Sequence, residues 1–180
     1  MKRRELLISD ETVSVTLALF KNVTNAKQLL SIYNEKTFEG STNMRHFFLI
    51  LDGQLVYDDN HIVHSIYRAY HNFLTERRIT KNIILEVFFL LSPHEKINEC
   101  LRQYQVREES SSIIYVGVNI SDDKVKAFTE LINGEMINLD SISSLHDKKQ
   151  ISENFKCGEH EINLERFIYH NIASKKINLG

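Results

Sequence analysis

Val13-Ser-Val-Thr-Leu-Ala-Leu-Phe20 is the stretch on which the fold class turns. Val13, Val15, Leu17 and Leu19 alternate with smaller residues, the period-two signature of a strand that turns one apolar face to a core. A turn over 21–24 follows. Thr24 or Asn25 can then cap a helix that carries Ala26, Leu29, Leu30 and Tyr33 on one side. Two further runs have strand length. The run 83–91 is apolar on both faces apart from Glu86, which predicts a central strand of a covered sheet, and 113–118 predicts a third. Residues 47–51 read as a short strand or a buried segment, and 136–139 as a short edge strand.

Between these runs the period changes from 2 to 3.6. Asp58, Asp59 and Asn60 offer caps for the most regular helix, over 60–74. Ile62, Val63, Ile66, Ala69, Tyr70 and Phe73 fall on its apolar side, and His61, His64, Ser65, Arg68, His71 and Asn72 on a side expected to be solvated. Further helices are expected around Ile97, Cys100, Leu101 and Tyr104, and after Asp122 with Val125, Phe128, Leu131 and Ile132 inward. Gly134 should end the latter as a left-handed residue. Short helices over 141–156 and a final helix over 159–174 complete the chain. The expectation is an α/β fold: one domain over 1–180, core about 13–174, with a single sheet covered by helices and a helical C-terminal third.

Composition bounds the function. A chain of 180 residues can bury a core without staples. The balance of 22 Lys+Arg against 24 Asp+Glu excludes a global polycation but leaves room for a local basic patch. Cys100 and Cys157 are too few for a disulfide framework or a structural zinc site, so reduced thiols in the cytosol or nucleus are expected. MKRRELLISD lacks the apolar core of a signal peptide, and no run of about 18 apolar residues predicts a membrane span. A membrane partner is therefore not expected. The six Gly are scattered, so no phosphate-binding loop and no cofactor is expected.

The chemistry-bearing residues divide by context. Ser92, followed by Pro93, reads as a turn residue rather than a nucleophile. His61, His64 and His71 on one helix face, with Arg68 among them, fit a solvated face better than a metal site. Cys157-Gly-Glu-His160 is half a zinc motif without its other half, and Cys100 reads as a small core hydrophobe. Glu86, inside an apolar run, must be paired or hydrogen-bonded. A structural role is favoured over acid–base chemistry, because no second carboxylate lies near it in sequence. Arg77, Arg78 and Lys81 form a cationic link that either is simply solvated or contacts phosphate. The last helix is apolar on two sides, with Leu164, Phe167, Ile168 and Ile172 in one stripe and Ile162, Tyr169 and Ala173 in another. One stripe is expected to stay partly exposed for a partner.

The ordered pattern resembles a known family. Val15-Thr-Leu-Ala-Leu-Phe-Lys-Asn-Val-Thr-Asn-Ala26 is similar to the opening of the PRPK-binding protein family, small subunits of the KEOPS (or EKC) complex. Thr80-Lys-Asn-Ile83, Glu86, Leu91-Ser-Pro93, then Ile97, Glu99, Leu101, Tyr104 and Val106 continue the match. Residues 113–116, Leu131-Ile132 with Gly134, and Leu164 with Ile168 extend it to about 13–174. Two positions depart from the pattern: Lys81 stands where Arg is usual, losing bidentate reach, and Gln105 stands where Gly is usual.

The resemblance implies a non-catalytic subunit with no cofactor and no metal. It implies binding and regulation of the small atypical kinase of the complex, and contact with the other KEOPS subunits through that kinase. The reaction implied for the complex is threonylcarbamoylation of the adenosine beside the anticodon in tRNAs reading codons that start with A. It also implies a grip on the tRNA 3′ end and residence in nucleus and cytoplasm, with links to telomere maintenance and transcription in fungi. On this basis Arg77, Arg78 and Lys81 are the expected RNA-binding residues. Leu164, Ile168 and Ile172, which match the family's C-terminal pattern, are the expected kinase-binding stripe. The alternative from the residues alone is a small hydrolase-type enzyme using Glu86 and a nearby His or Ser.

Overall fold

The computed structural model describes residues 1–40, 45–157 and 164–176, without the side chains of 34–40. The strands are β1 (Lys2–Ile8), β2 (Glu11–Lys21), β3 (Phe47–Asp52), β4 (Ile113–Val118) and β5 (Glu135–Ile137). The helices are α1 (Ala26–Gly40), α2 (Asp59–Leu74), α3 (Ile83–Leu91), α4 (Ile97–Tyr104), α5 (Asp122–Thr129), α6 (Lys148–Asn154) and α7 (Leu164–Ser174). Short 3-10 segments cover Gly53–Leu55 and Leu139–Ser144.

All strand pairs are antiparallel. The order is β1-β2-β4-β3, and β5 pairs with the end of β2 that β1 leaves free. On one face, Phe48 of β3 and Tyr115 of β4 meet Tyr33 of α1 and Phe128 of α5. The ring centroids of Phe48 and Phe128 are 4.9 Å apart, and those of Tyr33 and Phe48 5.5 Å. The other face is covered by α2, α3 and α4, and α7 lies outside them against α2 and α3. β2 and β4 are buried on both faces where they pair, as central strands must be. This is the expected α/β class, with helices dominating the C-terminal part.

Three features depart from the sequence reading or go beyond it. The run Ile83–Leu91 is a helix, not a central strand. Asn82 caps it, its side chain accepting from Leu85 N at 2.9 Å. α3 is apolar almost all round because α2, α4, α7 and β3 surround it. The second is β1, which the pattern hides: its inward positions include Lys2 and Arg4, and both pair with Asp59 at the start of α2. Ser9 and Asp10, with φ of 46° and 69°, make the tight turn into β2. The third is Gly134, which is not left-handed. A Cβ there would come within 2.9 Å of Val23 Cγ2 and 3.0 Å of Lys21 O, so close packing is what requires glycine.

Candidate functional site

The face of α2 expected to be wet is half covered. Asp58 caps the helix, accepting from His61 N at 2.7 Å, and this turns His61 inward to full burial. Its Nε2 lies 2.9 Å from Leu91 O, and its Nδ1 accepts from Tyr57 N–H at 3.3 Å. A carbonyl can only accept, so Nε2 carries the proton and the ring is neutral. Burial pushes the His61 pKa down to about 4, against the opposing hydrogen bond to Leu91. Ser65 and Asn72 are buried on the same side, whereas His64 and Tyr67 stay exposed.

Below this face lies a layer of charge held by α3. Glu86, in the first turn of α3, is fully buried and accepts from Asn72 Nδ2 at 2.9 Å, Ile79 N, Thr80 N at 2.8 Å and Thr80 Oγ1 at 2.9 Å. At the other end of α3, the Lys175 amine donates to Phe89 O and Ser92 O and sits 3.9 Å over the Phe89 ring. A carboxylate at the N-terminal turn and an ammonium on the last carbonyls both complement the helix dipole. Burial lowers the Lys175 pKa to about 8. Asn171 Nδ2 also donates to Ser92 O at 3.1 Å, so α7 and the residue after it are fastened to the end of α3.

Above this layer α2 and α7 enclose an open groove of about 840 Å³. Its walls carry His64, Tyr67, Arg68 and His71 from α2, Arg77 from the following loop, Tyr169 from α7, and Lys175 and Lys176 beyond it. No carboxylate lines it among the described residues. Arg68 Nη2 donates to Lys175 O at 2.6 Å, while Nη1 is buried without a hydrogen-bond partner there. Burial lowers the Arg68 pKa, opposed by the nearby Glu86 charge. His64 and Tyr169 meet edge to face at 4.8 Å. The arrangement offers fixed positive charge and aromatic faces, and it suits an anionic ligand with flat rings.

Of the expected RNA-binding residues, Arg77, Arg78 and Lys81 are all exposed in the loop between α2 and α3. Arg77 opens onto the groove, and Arg78 lies 5.6 Å over the Phe73 ring. Tyr67, Arg68, Lys175 and Lys176 join Arg77 as groove residues that the sequence reading does not single out for binding. The pairing of Lys175 and Lys176 directly after the last apolar helix is the signal that could have found those two.

The expected exposure of the stripe Leu164, Ile168 and Ile172 is corrected. These residues are 2%, 0% and 3% exposed and pack with Ile151, Phe155 and Cys157 in a small second core. The stripe faces in because α6 and α2 lie beneath α7. Phe167 of the same stripe points out, 46% exposed. Ile162 of the other stripe and Gly158–His160 lie outside the described residues.

Ser92 Oγ donates to Gln103 Oε1 at 2.7 Å and accepts from His94 N at 3.1 Å, the bonding of a turn residue. Cys100 is a buried member of the main core. Glu86 has its oxygens filled by loop donors, whereas a hydrolase reading asks for a carboxylate facing a deep pocket beside a second titratable group. Among the described residues no cluster of His, Cys, Asp and Glu is placed to hold a metal, and no helix is long and apolar enough to cross a membrane.

Comparison with known proteins follows the same outline. Residues 20–176 match the model of a family described as kinase binding protein CGI-121. An EKC/KEOPS complex subunit cgi121 from Aspergillus fumigatus is 24% identical over 151 residues, covering 80% of this chain and 77% of that protein. The EKC/KEOPS complex subunit TPRKB of Danio rerio is 21% identical over 150 residues, covering 82% and 81%. The family match runs from the end of β2 through α7, groove and basic loop included. The chain therefore belongs to the CGI-121 kinase-binding protein family.

Proposed function

We propose that this chain is a non-catalytic subunit of an EKC/KEOPS complex that binds the small atypical kinase and holds the tRNA 3′ end. The observation that carries the RNA part is the groove between α2 and α7. Arg68, Arg77 and Lys176 meet Tyr67 and Tyr169 there with no opposing carboxylate among the described residues. A single-stranded end offers phosphates to such cations and unstacked bases to such rings. Arg78 and Lys81 extend the positive surface along the loop. The non-catalytic reading is supported by the internal hydrogen bonding of Glu86 and Ser92, which leaves neither poised toward a substrate.

Changing Arg77, Arg78 and Lys81 together to Glu should weaken binding of tRNA by at least about tenfold and leave the fold intact, since all three are exposed. The log–log salt dependence should flatten by about 0.7 for each single-strand phosphate that is no longer neutralised. Filter binding across a salt series reads both. Unchanged affinity and slope would remove the loop from the RNA site.

For the kinase, Leu164, Ile168 and Ile172 act by seating α7, and the outward Phe167 offers the contact. Phe167→Asp should abolish co-purification with the kinase without changing the melting temperature of the isolated chain, because a partner would have to desolvate the new charge unpaired. Retention of the kinase by this variant would place its surface elsewhere.

A further inference from the structure

The loop between α2 and α3 has two sides. Arg77, Arg78 and Lys81 point to solvent. On the inner side Ile79 N at 3.0 Å, Thr80 N at 2.8 Å and Thr80 Oγ1 at 2.9 Å all donate to one oxygen of Glu86. Two successive backbone N–H groups and a hydroxyl make a concavity of the kind that takes an anion. Here the chain supplies the anion itself, from the first turn of the next helix.

The loop's ends are fixed as well. Glu76, at φ 57°, closes α2 with Arg77 N donating to Asn72 O at 2.8 Å. Asn82 caps α3, and Thr80 Oγ1 also lies 2.9 Å from Asn82 O, so its one proton is shared between that carbonyl and Glu86. Asn72 Nδ2 holds the second oxygen of Glu86, at 2.9 Å.

We propose that Glu86 is the positioning residue of the basic loop: it fixes the three cations in the array that meets RNA, without touching RNA itself. This rests on the reading of the loop as an RNA contact. A loop ordered beforehand gives up little freedom on binding. Without the carboxylate the same cations remain but must be ordered during binding. Loss of position thus has its own signature. Affinity falls while the salt dependence stays, because the number of phosphates neutralised has not changed.

The test uses the full chain, a single-stranded RNA octamer as probe, and two variants. E86Q keeps the shape but turns an NH2 group toward the loop donors. T80V removes one donor from the loop side and leaves the carboxylate paired. Octamer affinity should fall about tenfold for E86Q and about threefold for T80V, at an unchanged log–log salt slope. The Ile79 and Thr80 amides should exchange with solvent at least about tenfold faster in E86Q. If E86Q does not fold, T80V decides alone. Wild-type affinity in a folded variant overturns the proposal. So does a slope that flattens as the affinity falls, since that means fewer phosphates are neutralised rather than the same number met by a looser loop. If the triple Glu variant also binds the octamer normally, the RNA reading of the loop has failed. If the triple variant weakens binding and E86Q and T80V do not, Glu86's role alone has failed.

Discussion

Ile168→Arg is expected to destabilise the isolated chain by about 3–5 kcal/mol, the usual effect of leaving a charge buried and unpaired. Ile168 is wholly buried between Leu164, Ile172, Ile151 and Phe155. A guanidinium there has neither water nor a carboxylate among those neighbours. Of the two ways out, the side chain cannot easily snorkel, because α7 lies flat on α2 and α3, so α7 must lift. Its fastenings at Asn171 and Lys175 would go with it, and α3 would lose the cation at its C-terminal end. Urea unfolding of the isolated chain measures the loss, and Ile168→Ala should lose less, about 2–4 kcal/mol. Kinase binding would fail in the arginine variant as a consequence of the displaced helix. A variant that keeps normal stability and still loses the kinase would make Ile168 a partner contact instead.

The second large effect is acid sensitivity. His61 is neutral, buried, and bonded at both ring nitrogens, Nδ1 to an N–H that cannot accept a second proton. Its pKa is about 4 in the folded chain against an ordinary 6.5. Between those values the unfolded chain binds a proton that the folded chain refuses. The contribution is therefore complete above pH 6.5 and is lost as pH falls toward 4. The full difference corresponds to about 3 kcal/mol. Denaturation midpoints from pH 7.5 to 4 should show this fall, and His61→Asn should be less stable at pH 7 but flatter across that window. A wild-type profile with no change between pH 6.5 and 4 would mean that the ring titrates normally and is not sealed.

What is legible in the sequence follows from period. β2 and β4 are readable because alternation and double-sided burial leave a run of apolar residues of strand length. α2 is readable because its apolar face repeats at 3.6 under an Asp58 cap. Ile83–Leu91 misleads for the same reason: nine residues, nearly all apolar, satisfy either period. The deciding feature is Asn82 ahead of the run, whose side chain caps a helix and has no use in a strand. That misreading also hides the site. With α3 taken out of the helical layer, nothing is left to cover His61, Ser65 and Asn72, so they read as solvated. β1 escapes because Lys2 and Arg4 occupy inward positions, and the carboxylate that makes this tolerable, Asp59, is remote in sequence. The basic loop is legible as a charge cluster. Its companions Arg68 and Tyr169 are not, since they meet it through tertiary packing alone.

The order of strands has a consequence for how the chain comes together. β2 is the longest strand of the sheet, and its lasting neighbour is β4, with Val15 opposite Val118. Phe47 of β3 waits for the same Val118. During synthesis β1 and β2 can close as a local hairpin, but the open edge of β2 and all of β3 have no strand to pair with until Ile113–Val118 has left the ribosome. Two greasy edges are therefore exposed together, through the making of α2, α3 and α4, to each other and to neighbouring chains. Chain closure over such a span is slow compared with helix formation. Of the four strands in the main order, the last to arrive sits between two that came before it. A nascent chain halted before β4 should bind holdase chaperones and aggregate, and one released just after it should not.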